Sequence, residues 1–160
     1  MTPNIYNWVK IHRPSFVGDV LEIGSLNVNG GVRDLFSDAS SYVGIDVVMG
    51  RGVDIVMSGH DIKKMYGRAF DTIICLETIE HDPKFWDLIL NIKECLLPAG
   101  TLLLSSPTIG FPLHHKPDYY RFTVDGIKSL IDFADCDLIA IDSLPDTIGN
   151  HSIIAKGEKR

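Results

Sequence analysis

The run Val20-Leu-Glu-Ile-Gly-Ser-Leu-Asn-Val-Asn-Gly30 constrains this chain more than any other segment. A short apolar run carries Glu22, Gly24 supplies a tight turn, and Asn29-Gly30-Gly31 opens a polar–apolar stretch. That order predicts a strand, a turn and the start of a helix. About twenty residues on, Ser40-Ser-Tyr-Val-Gly-Ile-Asp46 repeats the pattern, an apolar strand with a carboxylate at its tip. In a doubly wound sheet, the crevice beyond the carboxyl ends of such strands holds nucleotide-like ligands. Glu22 and Asp46 on neighbouring strands therefore suit a ribose-bearing cofactor.

The glycine spacing discriminates between cofactors. A dinucleotide site uses G-x-G-x-x-G so that backbone amides can approach a pyrophosphate. Here Leu26 and Val28 follow Gly24 where such a pattern places its next glycines. S-adenosylmethionine has no phosphate and carries a positive sulfonium, so carboxylates and a looser turn fit it better.

The remaining composition narrows the class. A chain of 160 residues suits one domain with a real core. With 45% hydrophobic and 22% charged residues it reads as a globular protein. No apolar run approaches the roughly 20 residues of a membrane span, and the opening residues lack the pattern of a signal peptide. A net charge of −6 argues against broad nucleic-acid affinity. The one dense basic stretch, Lys156 to Arg160, reads as a solvated tail. Cys75, Cys95 and Cys136 form no C-x-x-C pair and sit in apolar surroundings, which predicts buried thiols and a cytoplasmic location.

Periodicity predicts a leading helix at 4–12 and strands at 18–23, 41–46, 53–57, 70–76 and 100–105. Between them it places a helix near 30–37, an irregular connection near 60–67, and a strong helix over 83–96. Asp82-Pro83 reads as cap and first turn of that last helix, with Phe85, Trp86, Leu88, Ile89 and Ile92 as its core face. Thr123 caps a helix running to about 133. Strands at 137–143 and 151–155 follow, joined by a connection too short for a crossover helix, so they pair antiparallel. The expected fold is α/β: a doubly wound, Rossmann-like, seven-stranded mixed sheet, mostly parallel, with an antiparallel C-terminal hairpin.

This order of motifs resembles the class I S-adenosylmethionine-dependent methyltransferases, of the methyltransferase type 11-like kind, over roughly residues 17–156. Leu21-Glu-Ile-Gly-Ser25 resembles the family's first motif, His60-Asp61-Ile62 its adenine segment, Phe70 to His81 its fourth strand and catalytic edge, and Leu97 to Leu104 its entry to strand five. The resemblance implies a single methyltransferase domain over 1–160, with a short N-terminal helix in 1–16 and a substrate loop at 106–122. It also implies that Glu22, Gly24, Ser25, Asn29, Gly30, Asp46, Asp61 and Glu77 hold S-adenosylmethionine. Relatives carry a longer helical lid before the first strand, so acceptor binding falls to the 106–122 loop, a homodimer partner or a large substrate.

A second constellation joins Glu77, Glu80 and His81 after strand four to His114 and His115 after strand five. Two carboxylates and imidazoles suit proton transfer or a divalent cation. His81 and His114 are the candidate catalytic groups, and His115, Tyr119, Tyr120 and Arg121 the candidate acceptor contacts. A metal-free site is the expectation. Glu77, Glu80, His81 and His114 make up the alternative metal set, by resemblance to metal-assisted 2′-O-methyltransferases. The expected function is methyl transfer to a small acceptor. The rival readings are a metal-assisted sugar or RNA-end 2′-O-methyltransferase and a non-catalytic cofactor-binding module.

Overall fold

In the computed structural model, which describes residues 2–160, the chain builds one seven-stranded sheet in the order β3-β2-β1-β4-β5-β7-β6. The strands are β1 (Asp19–Ile23), β2 (Ser41–Asp46), β3 (Ile55–Val56), β4 (Phe70–Leu76), β5 (Leu96–Pro107), β6 (Cys136–Pro145) and β7 (His151–Lys159). Neighbours from β3 through to β5 pair parallel, and β7 runs antiparallel between β5 and β6. The chain winds outward from β1 through β2 to β3, then returns to place β4 on β1's other side. The crevice for a ligand lies at that switch, beyond the carboxyl ends of β1, β2 and β4.

Alternating burial explains the two layers around the sheet. α2 (Ile62–Tyr66), α3 (Phe85–Cys95) and α4 (Val124–Phe133) cover one face, where Leu21, Ile73, Leu102 and Leu104 meet Ile89, Ile92, Ile127 and Ile131. α1 (Pro3–His12) covers part of the other, packing Ile5, Trp8 and Val9 against Val20, Ile74, Leu103 and Ile154. Each such fully buried aliphatic side chain contributes about 1.5–3 kcal/mol. Thr2 and Thr123 cap α1 and α4 through side-chain oxygens that accept from Ile5 and Gly126 amides. Trp8 donates to Asp142 at 2.6 Å and ties α1 to the far edge strand.

Several expectations change. The helix near 30–37 is a single 3₁₀ turn, Arg33–Phe36, anchored by buried Phe36 and by buried Val32 just before it. Two consecutive glycines before it leave no helical start to propagate. Conversely, part of the connection near 60–67 is helical. α3 begins at Phe85: Asp82 accepts from Lys84 in a preceding turn rather than capping the helix. Trp86 is 43% exposed and stands off the core face.

Lys156–Arg160 is no solvated tail. β7 runs through Lys159, whose ammonium is buried and donates to Asp135 at 2.6 Å. All three cysteines are free and buried. Among the described residues, no helix is long and apolar enough to cross a membrane.

Candidate active site

The turn after β1 forms because Gly24 and Ser25 amides both donate to the Ile45 carbonyl, at 2.9 and 3.0 Å. Gly24 has φ +74°, and a Cβ there would fall 2.1 Å from Thr78 Oγ1, so the position requires glycine. Asp46 ends β2 and fastens the same turn: one carboxylate oxygen accepts from Leu26 at 3.2 Å, the other from Val48 at 3.0 Å. Each oxygen keeps a further lone-pair site for a ligand donor.

Between these residues lies a cavity of about 560 Å³, within the range of small-molecule sites. Gly24 and Asp46 line it, together with Ile45, Met57, Leu88 and the segment Ser58-Gly59-His60. Thr78, His81 and Asp82 close the side below β4. The apolar wall suits a flat heterocycle, and Asp46 at the strand tip suits a vicinal diol. In the segment His60-Asp61-Ile62 the sequence pointed to Asp61 as the contact, whereas it is His60 whose Nε2 lies 2.6 Å from Asp82 and joins two walls of the cavity. Twenty-two residues separate the pair, and no local pattern announces it.

The other expected cofactor residues separate. Glu22 is buried away from the cavity, accepting from the Tyr42 hydroxyl at 2.8 Å, and burial pushes its carboxyl up to about 7. Ser25 is buried, and its hydroxyl has no hydrogen-bond partner among the described residues. Asn29 and Gly30 line a different recess, of about 860 Å³, with Tyr6, Arg33 and Arg51. Asp61 is exposed at the head of α2 and caps nothing with its side chain. The cavity wall in that segment is Ser58 to His60.

Beyond β4 the backbone turns sharply at Glu77, whose φ of +49° is a left-handed conformation that non-glycine residues rarely adopt. The turn sends the Glu77 carboxylate to the Ser105 and Ser152 hydroxyls, at 2.9 and 3.0 Å. Glu80 is fully buried; one carboxylate oxygen accepts from Ser106 at 3.2 Å and the other has no partner among the described residues. Burial raises both carboxyls above the usual range, Glu80 strongly, with Glu77 adding to its shift. His81 Nδ1 lies 2.6 Å from the Pro117 carbonyl. A carbonyl only accepts, so in the neutral ring that nitrogen carries the proton and Nε2 keeps its lone pair.

The loop after β5 folds back over this turn. Tyr119 and Tyr120 amides donate to the Glu80 carbonyl, at 2.8 and 3.3 Å. Arg121 binds Asp118 through two nitrogens and also donates to the Phe111, Pro112 and Tyr120 carbonyls. Its donors are spent holding the loop, and it holds the Asp118 carboxyl well below the ordinary range. Tyr120 packs against Phe85 and Phe122, with its hydroxyl donating to Pro83 at 3.0 Å. Tyr119 and His115 are exposed. His114 is brought to His81, ring centroids 5.2 Å apart, and desolvation lowers its pKa.

No family profile and no curated protein sequence matches this chain. Solved structures match it in fold. The 1,6-didemethyltoxoflavin-N1-methyltransferase of Burkholderia thailandensis, solved with 1,6-didemethyltoxoflavin and S-adenosylhomocysteine, superposes with a TM-score of 0.79 at 16% identity, covering 98% of this chain and 77% of that one. A SAM-dependent methyltransferase of Archaeoglobus fulgidus gives 0.76 at 12% identity over 97% and 93%. The [4+2]-cyclase SpnF gives 0.75 at 12% identity over 97% and 80%, so one fold carries more than one chemistry. The chain has the class I fold of the S-adenosylmethionine-dependent methyltransferases.

Proposed function

We propose that this protein transfers a methyl group from S-adenosylmethionine to a small acceptor. The observation that carries the reading is the cavity at the switch point, with a glycine-only turn on one side and the Asp46 carboxylate on another. In this reading Asp46 accepts from the ribose hydroxyls, while Ile45, Met57 and Leu88 enclose the adenine. Gly24 and Thr78 shape the space left for the methionine portion. When bound, the cofactor supplies a methyl group already activated by a positive sulfur. The protein's own part is then alignment and exclusion of water. His81, on the cavity wall beside His114, orients the acceptor or takes its proton.

Calorimetry with S-adenosylmethionine, S-adenosylhomocysteine and NAD tests this. Both sulfur compounds should bind, and NAD should not. Asp46→Ala should weaken binding about tenfold or more, because each charge-assisted bond is worth about 1.5–3 kcal/mol. The variant should remain folded. Binding of NAD with no response to either sulfur compound would overturn the reading, and an unchanged affinity in the variant would remove Asp46 from it.

A further inference from the structure

We propose that Glu80, His81 and His114 bind one divalent transition-metal ion, zinc or a chemically similar one, whose open position receives an oxygen of the acceptor. The acceptor clause rests on the methyl-transfer reading; the metal site does not.

The geometry argues for the ion directly. One atom each from Glu80, His81 and His114 lie within 4.8 Å of one another. Ligands about 2.0–2.2 Å from a tetrahedral zinc stand about 3.3–3.6 Å apart, so small side-chain rotations close the set. Glu80 Oε1 is already 3.6 Å from His81 Nε2. Within these residues, Glu80 Oε1 and His114 Nδ1 are buried without a hydrogen-bond partner among the described residues. Leaving such groups unmatched in the interior is unfavourable, and an ion would satisfy both at once.

The supports around the three ligands are also in place. A metal-binding imidazole usually donates its second nitrogen to a carbonyl or carboxylate, which fixes the ring and raises its basicity. His81 does this through Nδ1 to Pro117. Ser106 holds the far oxygen of Glu80, and the Asp118 carboxylate, clasped by Arg121, accepts from the His114 backbone amide at 2.8 Å and fixes that residue in the loop. Glu77 stays out of the set: its carboxylate is turned to the Ser105 and Ser152 hydroxyls, and the cluster of ligand atoms comprises Glu80, His81 and His114.

Two imidazoles and one carboxylate select a borderline transition ion over magnesium or calcium. Three protein ligands leave a position for an exchangeable oxygen, as in catalytic rather than structural sites. His81 also lines the large cavity, so that position is next to the space assigned to the methyl donor. The acceptor class that follows is a hydroxyl compound, best a vicinal diol or catechol-like group able to bind the ion through oxygen. Coordination would acidify the hydroxyl, its proton passing to solvent.

Titration of the full chain with Co²⁺ and Zn²⁺, followed by calorimetry and by the visible absorption of cobalt, tests the site. Wild type should take up about one equivalent. Glu80→Gln and His114→Ala should each lose about 100-fold or more in affinity, beyond the 10–100-fold typical of outer supports. Ser106→Ala should fall within that smaller range. Because Glu80→Gln alters a buried group, His114→Ala on the loop gives an independent reading, with circular dichroism checking both folds. Asp46→Ala should bind metal like wild type, which separates this test from that of the cofactor. Absence of binding, or binding that survives both ligand substitutions in folded protein, would overturn the site. Uptake of cobalt by a protein that ignores S-adenosylmethionine would leave the metal and overturn its link to methyl transfer.

Discussion

Glu22→Gln is the substitution whose effect can be worked out most fully. Glu22 lies in the middle of the sheet at 9% exposure, with the Tyr42 hydroxyl donating to it at 2.8 Å. Arg33 stacks over the Tyr42 ring at 4.7 Å and favours the Glu22 carboxylate, but it gives its guanidinium to Asp54 at 2.6 Å, whose charge works against that help. Desolvation therefore dominates, and the carboxyl moves from 4.5 to about 7 in the fold.

A raised folded pKa means that the native state holds a proton the unfolded chain has released. The stabilising contribution is complete below pH 4.5 and is lost as pH rises through about 7. At about 1.36 kcal/mol per pH unit, the loss is about 3 kcal/mol. Glutamine keeps the volume and an acceptor for Tyr42 but cannot ionise. Urea unfolding of both proteins, without cofactor, should therefore show Glu22→Gln gaining about 3 kcal/mol on wild type between acidic and mildly alkaline buffer. Glu77 and Glu80 titrate in the same direction but occur in both proteins, so they cancel in the difference. Parallel stability curves across that pH range would show that water or Arg33 compensates the charge and that the burial argument is wrong.

Two further outcomes follow from the backbone. Gly24→Ala should cost about 1–2 kcal/mol from the left-handed conformation alone. It should also abolish measurable cofactor binding in calorimetry by driving Thr78 into the cavity; wild-type affinity would refute the assigned role of that turn. Thr123→Ala should lower stability by about 1 kcal/mol in urea unfolding, by removing the 3.0 Å bond from the Gly126 amide at the start of α4. No change would mean that water replaces the cap.

The parallel half of the sheet was legible because β1, β2 and β4 are short apolar runs with chemistry at their tips, and strand ends converge by topology. Gly24 and Asp46 could be picked out on that ground. Asn29 and Gly30 could not be separated from them, since a chain turn of a few residues decides which recess they face. Glu22 looked like a site residue because it carries charge in a glycine motif, whereas strand alternation points it at Tyr42. The charged end of β7 concealed a strand, because Lys159 is matched by Asp135 from a distant turn. The histidines and acids near Glu80 were legible as a group. Which of their atoms remain free was not, since that depends on hydroxyls and carbonyls from three separate segments.

The position of β7 between β5 and β6 has a consequence for the making of the protein. On the ribosome, β1 to β5 can assemble in the order they emerge, each next to a strand already present. β6 emerges with no neighbour to pair with, because its partner is still to be synthesised. It must wait, with α4 beside it, until residues 151–159 slide between it and β5 and bring the Ser152 hydroxyl to Glu77. The last strand to arrive thus completes the pair of serine contacts that hold Glu77, at the turn leading to Glu80 and His81, and a nascent chain lacking it has the motifs of that turn without their support.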